Sequence, residues 1–206
     1  MENIEPSIRI PWNKSRLTGQ KKPLLLQEIW KIRIRLEISK NTRELAPFNL
    51  GIDSKLRGCD LLRLRVSDIA NGSNILKRST IIQRKTGKPV TFELTKPTRL
   101  VLGTWVKEAK LSFSEYLFQS RTKHSNHLST RQYRRIVKGW VQRIGLDPED
   151  YGTHSIRRTK VALIYKRTHN LRAIQLLLGH SKIESTVRYL GVDIDDALAL
   201  SEETEI

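Results

Sequence analysis

The chain has 206 residues, with 38 Lys and Arg against 21 Asp and Glu, which gives a formal net charge of +17 at pH 7. A hydrophobic fraction of 38% is sufficient for the core of one domain of this length. The single cysteine, Cys59, excludes an intrachain disulfide, and no apolar run is long enough to span a membrane or to form a signal peptide. We therefore expect a cytoplasmic protein.

The first elements in chain order are predicted to be helices. Residues 1–22 contain prolines and basic residues without periodicity and are interpreted as a basic arm. Residues 24–38 fit a helix in which Ile29, Trp30, Arg33 and Leu36 lie on one face. Part of the segment also alternates as in a strand, but the length of the segment favours a helix. Asn41, with Glu44 three residues later, indicates a helix over 42–52.

The middle of the chain is predicted to contain a short helix and then a β-hairpin. The short helix is expected to end near Arg65. Residues 75–83 and 89–94 read as strands joined by a turn in which Gly87 adopts a positive φ. Pro97 suits the first turn of a further helix, and residues 116–118 form a short buried segment.

The last third is predicted to be helical. Ser129 and Gln132 form a capping box that opens an amphipathic helix ending at Gly145. A helix covers 155–167, and the next begins after Asn170 and ends at Gly179. Ser181 and Glu184 read as another capping box. The predicted fold class is α+β, mostly α, with a small antiparallel hairpin.

The charge is unevenly distributed along the chain. Residues 193–206 contain six acids and no base, so the excess of positive charge lies before them. A surface with this charge gains affinity for nucleic acid by releasing phosphate counterions. A ribosome-associated protein or a merely solvated basic surface would also fit. We divide the chain into a basic arm (1–22), one domain (23–192) and an acidic tail (193–206).

Five segments carry the polar residues that matter most: LRGCDLL at 56–62, QRKTGKPV at 83–90, THSIRRTK at 153–160, LLLGHS at 176–181 and STVRYLGV at 185–192. In this order they resemble the catalytic domain of the tyrosine recombinase (phage integrase) family. The resemblance covers about residues 40–200. It implies that the catalytic residues are Arg57, Lys85, His154, Arg157, His180 and Tyr189.

These residue types suit the cleavage of a phosphodiester. Arginine forks can grip a phosphate bidentately and stabilise its developing charge, a role suited to Arg57 and Arg157. A phenol such as that of Tyr189 can attack phosphorus and form a covalent protein–DNA link, from which the strand can later be rejoined, provided that a base assists at pH 7. His154 is the candidate for that base or for a partner that shuttles the proton.

The resemblance adds the remaining roles. It implies that Lys85 protonates the 5′-oxygen leaving group and that His180 donates a hydrogen bond to the scissile phosphate. No metal or other cofactor is implied. His124 and His127 are spaced like a pair of metal ligands. They lie in a polar loop without a nearby cysteine or carboxylate, so the sequence does not favour a metal site there.

Further basic residues on the arm, the first helix, the hairpin and the helix after His154 are predicted DNA contacts: Lys21, Lys22, Arg33, Arg84, Lys88 and Arg158. Two features depart from the family. Many members have His at the position of Arg158, and typical members carry a core-binding domain of about a hundred residues before the catalytic domain, where this chain has about 40.

The expected function is a site-specific DNA recombinase that acts for a mobile element through a 3′-phosphotyrosyl intermediate, at the bacterial nucleoid. The alternatives are a non-catalytic DNA-binding accessory protein with this fold and a topoisomerase-like relaxing enzyme. Expected partners are double-stranded DNA and further copies of the chain, as a tetramer on paired sites, and no membrane. By the family's pattern, the acidic tail would contact a neighbouring copy.

Overall fold

The computed structural model describes residues 20–121 and 125–190, together with Glu202. Most of the arm, His124 and, apart from Glu202, the acidic tail lie outside the described residues. The described chain is mostly helical with small antiparallel sheets, which confirms the predicted fold class. Its helices are α1 Leu26–Ile38, α2 Thr42–Ser54, α3 Gly58–Leu61, α4 Lys96–Glu108, α5 Thr130–Arg143, α6 Thr153–Thr168, α7 Leu171–Leu178 and α8 Ile183–Leu190.

Side-chain caps define several of these helices. Asn41, Ser129 and Asn170 each accept a hydrogen bond from a backbone N–H in the first turn of α2, α5 and α7, as predicted. Gly179 ends α7 with a φ of +64°, a conformation that glycine adopts without a steric penalty. The predicted cap at Ser181 is wrong, because α8 begins at Ile183 and the Ser181 hydroxyl instead accepts a bond from Lys88.

The strands form two short hairpins. In the first, β1 Ala70–Asn71 pairs with β2 Asn74–Ile75; in the second, β3 Arg78–Ile82 pairs with β4 Pro89–Glu93. Gly87 in the second turn has a φ of +64°, as predicted. Alternate residues of β3 and β4 face the interior, so the second hairpin covers the core with one face and presents its turn to solvent.

The main hydrophobic core lies around α2, which is buried along most of its length. Trp140 of α5 packs edge-on against Phe48, and its indole N–H donates to the Glu44 carboxylate. A second, smaller cluster consists of Val161, Ile174 and Leu178, with Tyr189 packed against it. The core therefore secures α2 firmly, while α7 and α8 rest on a smaller apolar contact.

One prediction about α1 is wrong. The inner face of the helix carries Ile29, Ile32 and Leu36, whereas Trp30 is 53% exposed. The apolar residues of α1 occupy two faces of the helix, and the sequence pattern alone did not distinguish the buried face from the outer one. No helix among the described residues combines the length and the apolar character needed to cross a membrane.

A buried charge cluster connects α2, α4 and α6. The Asp53 carboxylate accepts bonds from the ammonium of Lys160 at 2.6 Å and from the backbone and hydroxyl of Thr95 at 2.9 and 2.7 Å. Lys55, only 4% exposed and with a φ of +55°, donates to the Asp53 carbonyl. Because Arg57 is two residues farther on, this cluster fixes the backbone that enters the site.

Candidate active site

All six predicted catalytic residues line one open cleft of 490 Å³. They come from five separate parts of the chain: the start of α3, the β3–β4 turn, α6, the α7–α8 connection and α8. The fold thus brings together residues that are up to 132 positions apart (Arg57 to Tyr189). The cleft also includes Thr86, Gly179, Ser181, Lys182 and Ser185.

Arg57 immediately precedes α3 and is held by a residue that the sequence analysis did not select. Its Nη1 donates to Gln83 Oε1 at 2.6 Å. Gln83 is buried, and its Oε1 also accepts from the Thr86 hydroxyl, while its Nε2 donates to the Leu178 carbonyl at 3.2 Å. Gln83 continues the inward-facing alternation of β3, and a polar residue on that face was the signal that could have identified it.

Arg157 lies on α6 and is 2% exposed. Its Nη2 donates to the same Leu178 carbonyl at 2.9 Å, while Nε and Nη1 are buried without a hydrogen-bond partner in the described part of the chain. Burial lowers the pKa of this guanidinium, but an arginine remains charged in proteins. Two unsatisfied cationic donors in a cleft match the oxygens of a phosphate.

Tyr189 lies on α8 with its hydroxyl buried and unpaired among the described residues. Burial raises the pKa of this phenol, and the positive charges of Arg157, Arg158 and Arg57 oppose that increase without cancelling it. The phenol is therefore protonated near neutral pH. Its use as a nucleophile requires a base or a transition state that draws its proton away.

The two histidines of the cleft are both disposed to be neutral. Desolvation and the neighbouring charges of Arg157 and Arg158 lower the pKa of His154. Desolvation, with Arg157 and Arg57, lowers the pKa of His180 to about 4. His180 Nδ1 lies 3.1 Å from the Thr186 hydroxyl. If that hydroxyl donates, the imidazole proton lies on Nε2, where it is available to a ligand.

Lys85 occupies the exposed β3–β4 turn and reaches the cleft rim. Its neighbours in the turn are tied to the domain: the backbone N–H of Arg84 donates to Asp60, and the ammonium of Lys88 donates to Ser181. The turn is thus anchored on both sides, while Lys85 extends from it. This placement allows the ammonium to approach a ligand in the cleft.

The predicted DNA contacts fall into two groups. The side chains of Arg84 and Lys88 are exposed beside the cleft. By contrast, Lys22 forms an ion pair with Asp150, and the Lys21 ammonium donates to the Glu149 carbonyl. Arg33 donates to Asn49.

Arg158, the sixth predicted DNA contact, is 7% exposed and lies against the ring of Tyr189. This burial does not support a DNA contact for Arg158. Across the described residues, no group of three or more His, Cys, Asp or Glu is placed to hold a metal ion.

The sequence profile of the phage integrase family matches residues 17–195, and the chain belongs to this family. Its fold is that of a tyrosine recombinase catalytic domain, and the family match together with the named recombinases among its relatives identifies a DNA-cleaving and rejoining enzyme. The predicted family and fold class are confirmed.

Individual relatives support this placement. The chain is 32% identical over 175 residues to the probable integrase/recombinase YoeC of Bacillus subtilis (strain 168), covering 84% of this chain and 91% of YoeC. The crystal structure of XerA recombinase superposes with a TM-score of 0.71 at 18% identity, covering 96% of this chain and 69% of XerA. A post-cleavage complex of XerH site-specific recombinase with palindromic difH substrate gives 0.70 at 20% identity, covering 90% of this chain and 53% of XerH.

Proposed function

We propose that the protein is a site-specific recombinase in which Tyr189 cleaves a DNA strand and becomes linked to its 3′-phosphate. The observation that carries this proposal is the cleft in which a tyrosine with a buried hydroxyl, two arginines, two histidines and a lysine converge. The net charge of +17 supports a DNA substrate. The name of YoeC as a probable integrase supports action on behalf of a mobile element.

The proposed cleavage begins with the binding of the scissile phosphate. Arg57 and Arg157 contact its nonbridging oxygens, and the unpaired Nε and Nη1 of Arg157 gain acceptors. His180 donates a further hydrogen bond from Nε2. The two arginines are fixed before the reaction by Gln83 and the Leu178 carbonyl, and His180 by its contact with the Thr186 hydroxyl, so these donors stabilise the added negative charge of the transition state without rearranging.

The bonding changes are balanced within the cleft. The Tyr189 oxygen forms a bond to phosphorus and its proton passes to the neutral imidazole of His154. The bond from phosphorus to the 5′-oxygen breaks, and the ammonium of Lys85 supplies the proton that this oxygen needs. Attack by a 5′-hydroxyl on the phosphotyrosine reverses each step and rejoins a strand without any external energy source.

The surrounding organisation follows from the same proposal. The basic arm (1–22) and the exposed turn residues Arg84 and Lys88 would contact the DNA backbone around the domain (23–192). Strand exchange would take place between copies of the chain assembled as a tetramer on paired sites, at the bacterial nucleoid.

The test is the capture of the covalent intermediate. A pool of end-labelled, nicked duplexes with a randomised central segment would be incubated with the protein and treated with detergent. Wild type and Tyr165→Phe, a control tyrosine packed on the same small cluster, are expected to retain labelled DNA, whereas Tyr189→Phe is not. Binding by Tyr189→Phe should stay within a few-fold of wild type, since phosphate contacts supply the affinity.

Two results would contradict the proposal. One is a covalent adduct that persists in Tyr189→Phe. The other is DNA binding by wild type across the pool with no adduct at all, which would instead support an accessory DNA-binding role. Analysis of products on paired copies of a captured sequence then separates recombination from simple relaxation of supercoils.

A further inference from the structure

Among the described residues, two guanidinium groups lie near the Tyr189 ring, and that of Arg158 is the nearer. Its guanidinium carbon lies 4.8 Å from the ring centroid, compared with 5.8 Å for that of Arg157. The side chain is buried, and its Nε has no hydrogen-bond partner among the described residues. A planar guanidinium over an aromatic face attracts the ring and restricts its orientation.

A second contact of Arg158 is a hydrogen bond to the N-terminal part of the chain. Its Nη1 donates to the Lys21 carbonyl at 2.6 Å. Lys21 belongs to residues 20–24, which we call the N-terminal strap. The strap is itself bound to the domain, because the backbone N–H of Lys22 donates to the Asp150 carbonyl and that of Leu24 to the Thr159 hydroxyl, each at 3.0 Å.

The strap also reaches the helix of the nucleophile directly. The side-chain amide of Gln20 donates to the carbonyl of Arg188, the residue before Tyr189. The same five-residue segment therefore contacts the backbone of α8 and, through Arg158, the face of the tyrosine ring. Neither contact belongs to the phosphate-binding set of Arg57, Arg157 and His180.

We propose that Arg158 is a positioning residue for Tyr189: it fixes the ring and stabilises the negative charge that forms on the phenol oxygen, and the strap holds Arg158 in place. The inference rests on the proposed function, in which Tyr189 is the nucleophile. It gives Arg158 a role at the tyrosine in place of the DNA contact predicted from the sequence.

The charge of Arg158 acts in the direction that catalysis requires. A cation next to a phenol favours its ionised form. Other charged or titratable groups also line the cleft or act on Tyr189: Arg57, Lys85, His154, Arg157, His180 and Lys182. Of these, Arg57 and Arg157 would be partly neutralised by a bound phosphate. Arg158 is bonded to the Lys21 carbonyl and is not among the residues that line the cleft, so it would keep its effect on the phenol when DNA is bound.

The experiment measures the rate of covalent adduct formation on nicked duplex between pH 6 and 9, with Arg158→Met, Arg158→Lys and the control Arg167→Met. Arg167 is an exposed residue of the same helix, so its variant loses the same charge far from the ring. Arg158→Met should slow adduct formation at pH 7 by about tenfold or more and displace the pH profile to higher pH, since the charge of Arg158 lowers the pKa of both Tyr189 and His154 and a nearby charge changes a pKa by about one unit or more. Arg167→Met should change neither.

Arg158→Lys separates charge from geometry. It should keep the wild-type pH profile, because the charge remains, but react several-fold more slowly, because the contact between guanidinium and ring and the bond to the Lys21 carbonyl are lost. Thr159→Val, which removes the acceptor for the strap at Leu24, should likewise slow the reaction without displacing the profile.

The outcomes are distinct from those that test the function. If wild type forms adducts while Arg158→Met matches Arg167→Met in rate and profile, the role of Arg158 is refuted and the proposed function stands. If Arg158→Met does not fold, as judged by thermal unfolding, the lysine variant decides: a wild-type rate for Arg158→Lys overturns the proposal. A lack of adducts with wild type refutes the function itself.

Discussion

The side-chain amide of Gln83 donates a hydrogen bond of 3.2 Å to the backbone carbonyl of Leu178. This bond connects the groups that hold the two arginines of the cleft. Arg57 donates to the other end of the Gln83 amide, and Arg157 donates to the same Leu178 oxygen. The spacing of the two guanidinium groups is thus set by an amide and a carbonyl that lie between the β3–β4 turn and the end of α7.

This arrangement predicts a large effect of Gln83→Met, which keeps the length of the side chain and removes its polar atoms. Arg57 loses the hydrogen-bond acceptor that holds its guanidinium, and cleavage should slow by on the order of 10- to 100-fold because the phosphate is misplaced. DNA affinity should remain within a few-fold of wild type. Adduct formation measured beside Gln27→Met, an exposed control on α1, checks the prediction; equal rates for both variants would show that Gln83 does not position Arg57.

Arg57→Lys and Arg157→Lys should each reduce cleavage severely although the charge is retained. An ammonium cannot reproduce the paired donors of the fork, and the loss of one transition-state donor costs on the order of 10²–10³ in rate. Single-turnover cleavage of nicked duplex gives the rates, with Arg167→Lys as the matched exposed control on α6. Near-normal cleavage by both variants would contradict the proposed phosphate clamp.

Lys85→Ala should show a defect that depends on the leaving group. With ordinary DNA the 5′-oxygen lacks its proton donor, so cleavage fails. With sulfur in place of that bridging oxygen the leaving group needs no acid, and cleavage should recover. A comparison of both substrates with Lys85→Ala and with Lys107→Ala, an exposed control on α4, tests this role. If sulfur gives no recovery, Lys85 contributes only to DNA binding.

The pH dependence of cleavage should identify His154 as the base. Its pKa is lowered by desolvation and by the neighbouring arginines, so the imidazole is neutral at pH 7 and becomes protonated only as the pH falls below its ordinary value near 6.5. The wild-type rate should therefore fall below that pH, and His154→Gln should be slow with no such fall. His180, with a pKa of about 4, titrates outside this window. An unchanged acidic limb in His154→Gln would assign the base elsewhere.

The buried Lys55 should make the stability of the fold depend on alkaline pH. Burial, with the charge of Lys160, lowers the pKa of Lys55 from 10.5 to about 8. Between these values the unfolded chain binds more protons than the folded chain, so this group makes stability rise with pH across that window. The shift corresponds to roughly 3 kcal/mol at most.

Lys55→Met keeps the apolar stem and removes the ammonium. The free energy of unfolding of the variant relative to wild type should therefore decline by up to that amount between pH 8 and 10.5, as measured by urea unfolding. Other alkaline titrations are common to both proteins and cancel in the difference. A difference that stays constant with pH would mean that the Lys55 ammonium is not destabilised by burial.

The sequence was most informative where the determinants of structure are local. Ser129 and Gln132 lie three residues apart, so the start of α5 could be read directly, and the same holds for Asn170 and Gly179 at the two ends of α7. For the site, the family resemblance selected the six residues that the fold brings into one cleft.

Contacts between distant residues could not be read in this way. The bond from Gln83 to the Leu178 carbonyl joins positions 95 residues apart, and that from Arg158 to the Lys21 carbonyl joins positions 137 apart. Both involve a backbone oxygen, which no residue pattern marks. Trp30 shows a different limit, because its helix is apolar on two faces and only the packing of α1 against α2 and α5 selects the inner one.

The division of the apolar interior between a large cluster and a small one bears on local stability. Tyr189 packs against Val161, Ile174 and Leu178, and Thr186 is the only fully buried residue that α8 contributes in the described chain. Segments with few buried contacts open at a lower free energy than the global transition. Amide hydrogens of α8 should therefore exchange by local opening, well before those of α2. In the proposed reaction, this opening would let Tyr189 follow the 3′ end of a cleaved strand.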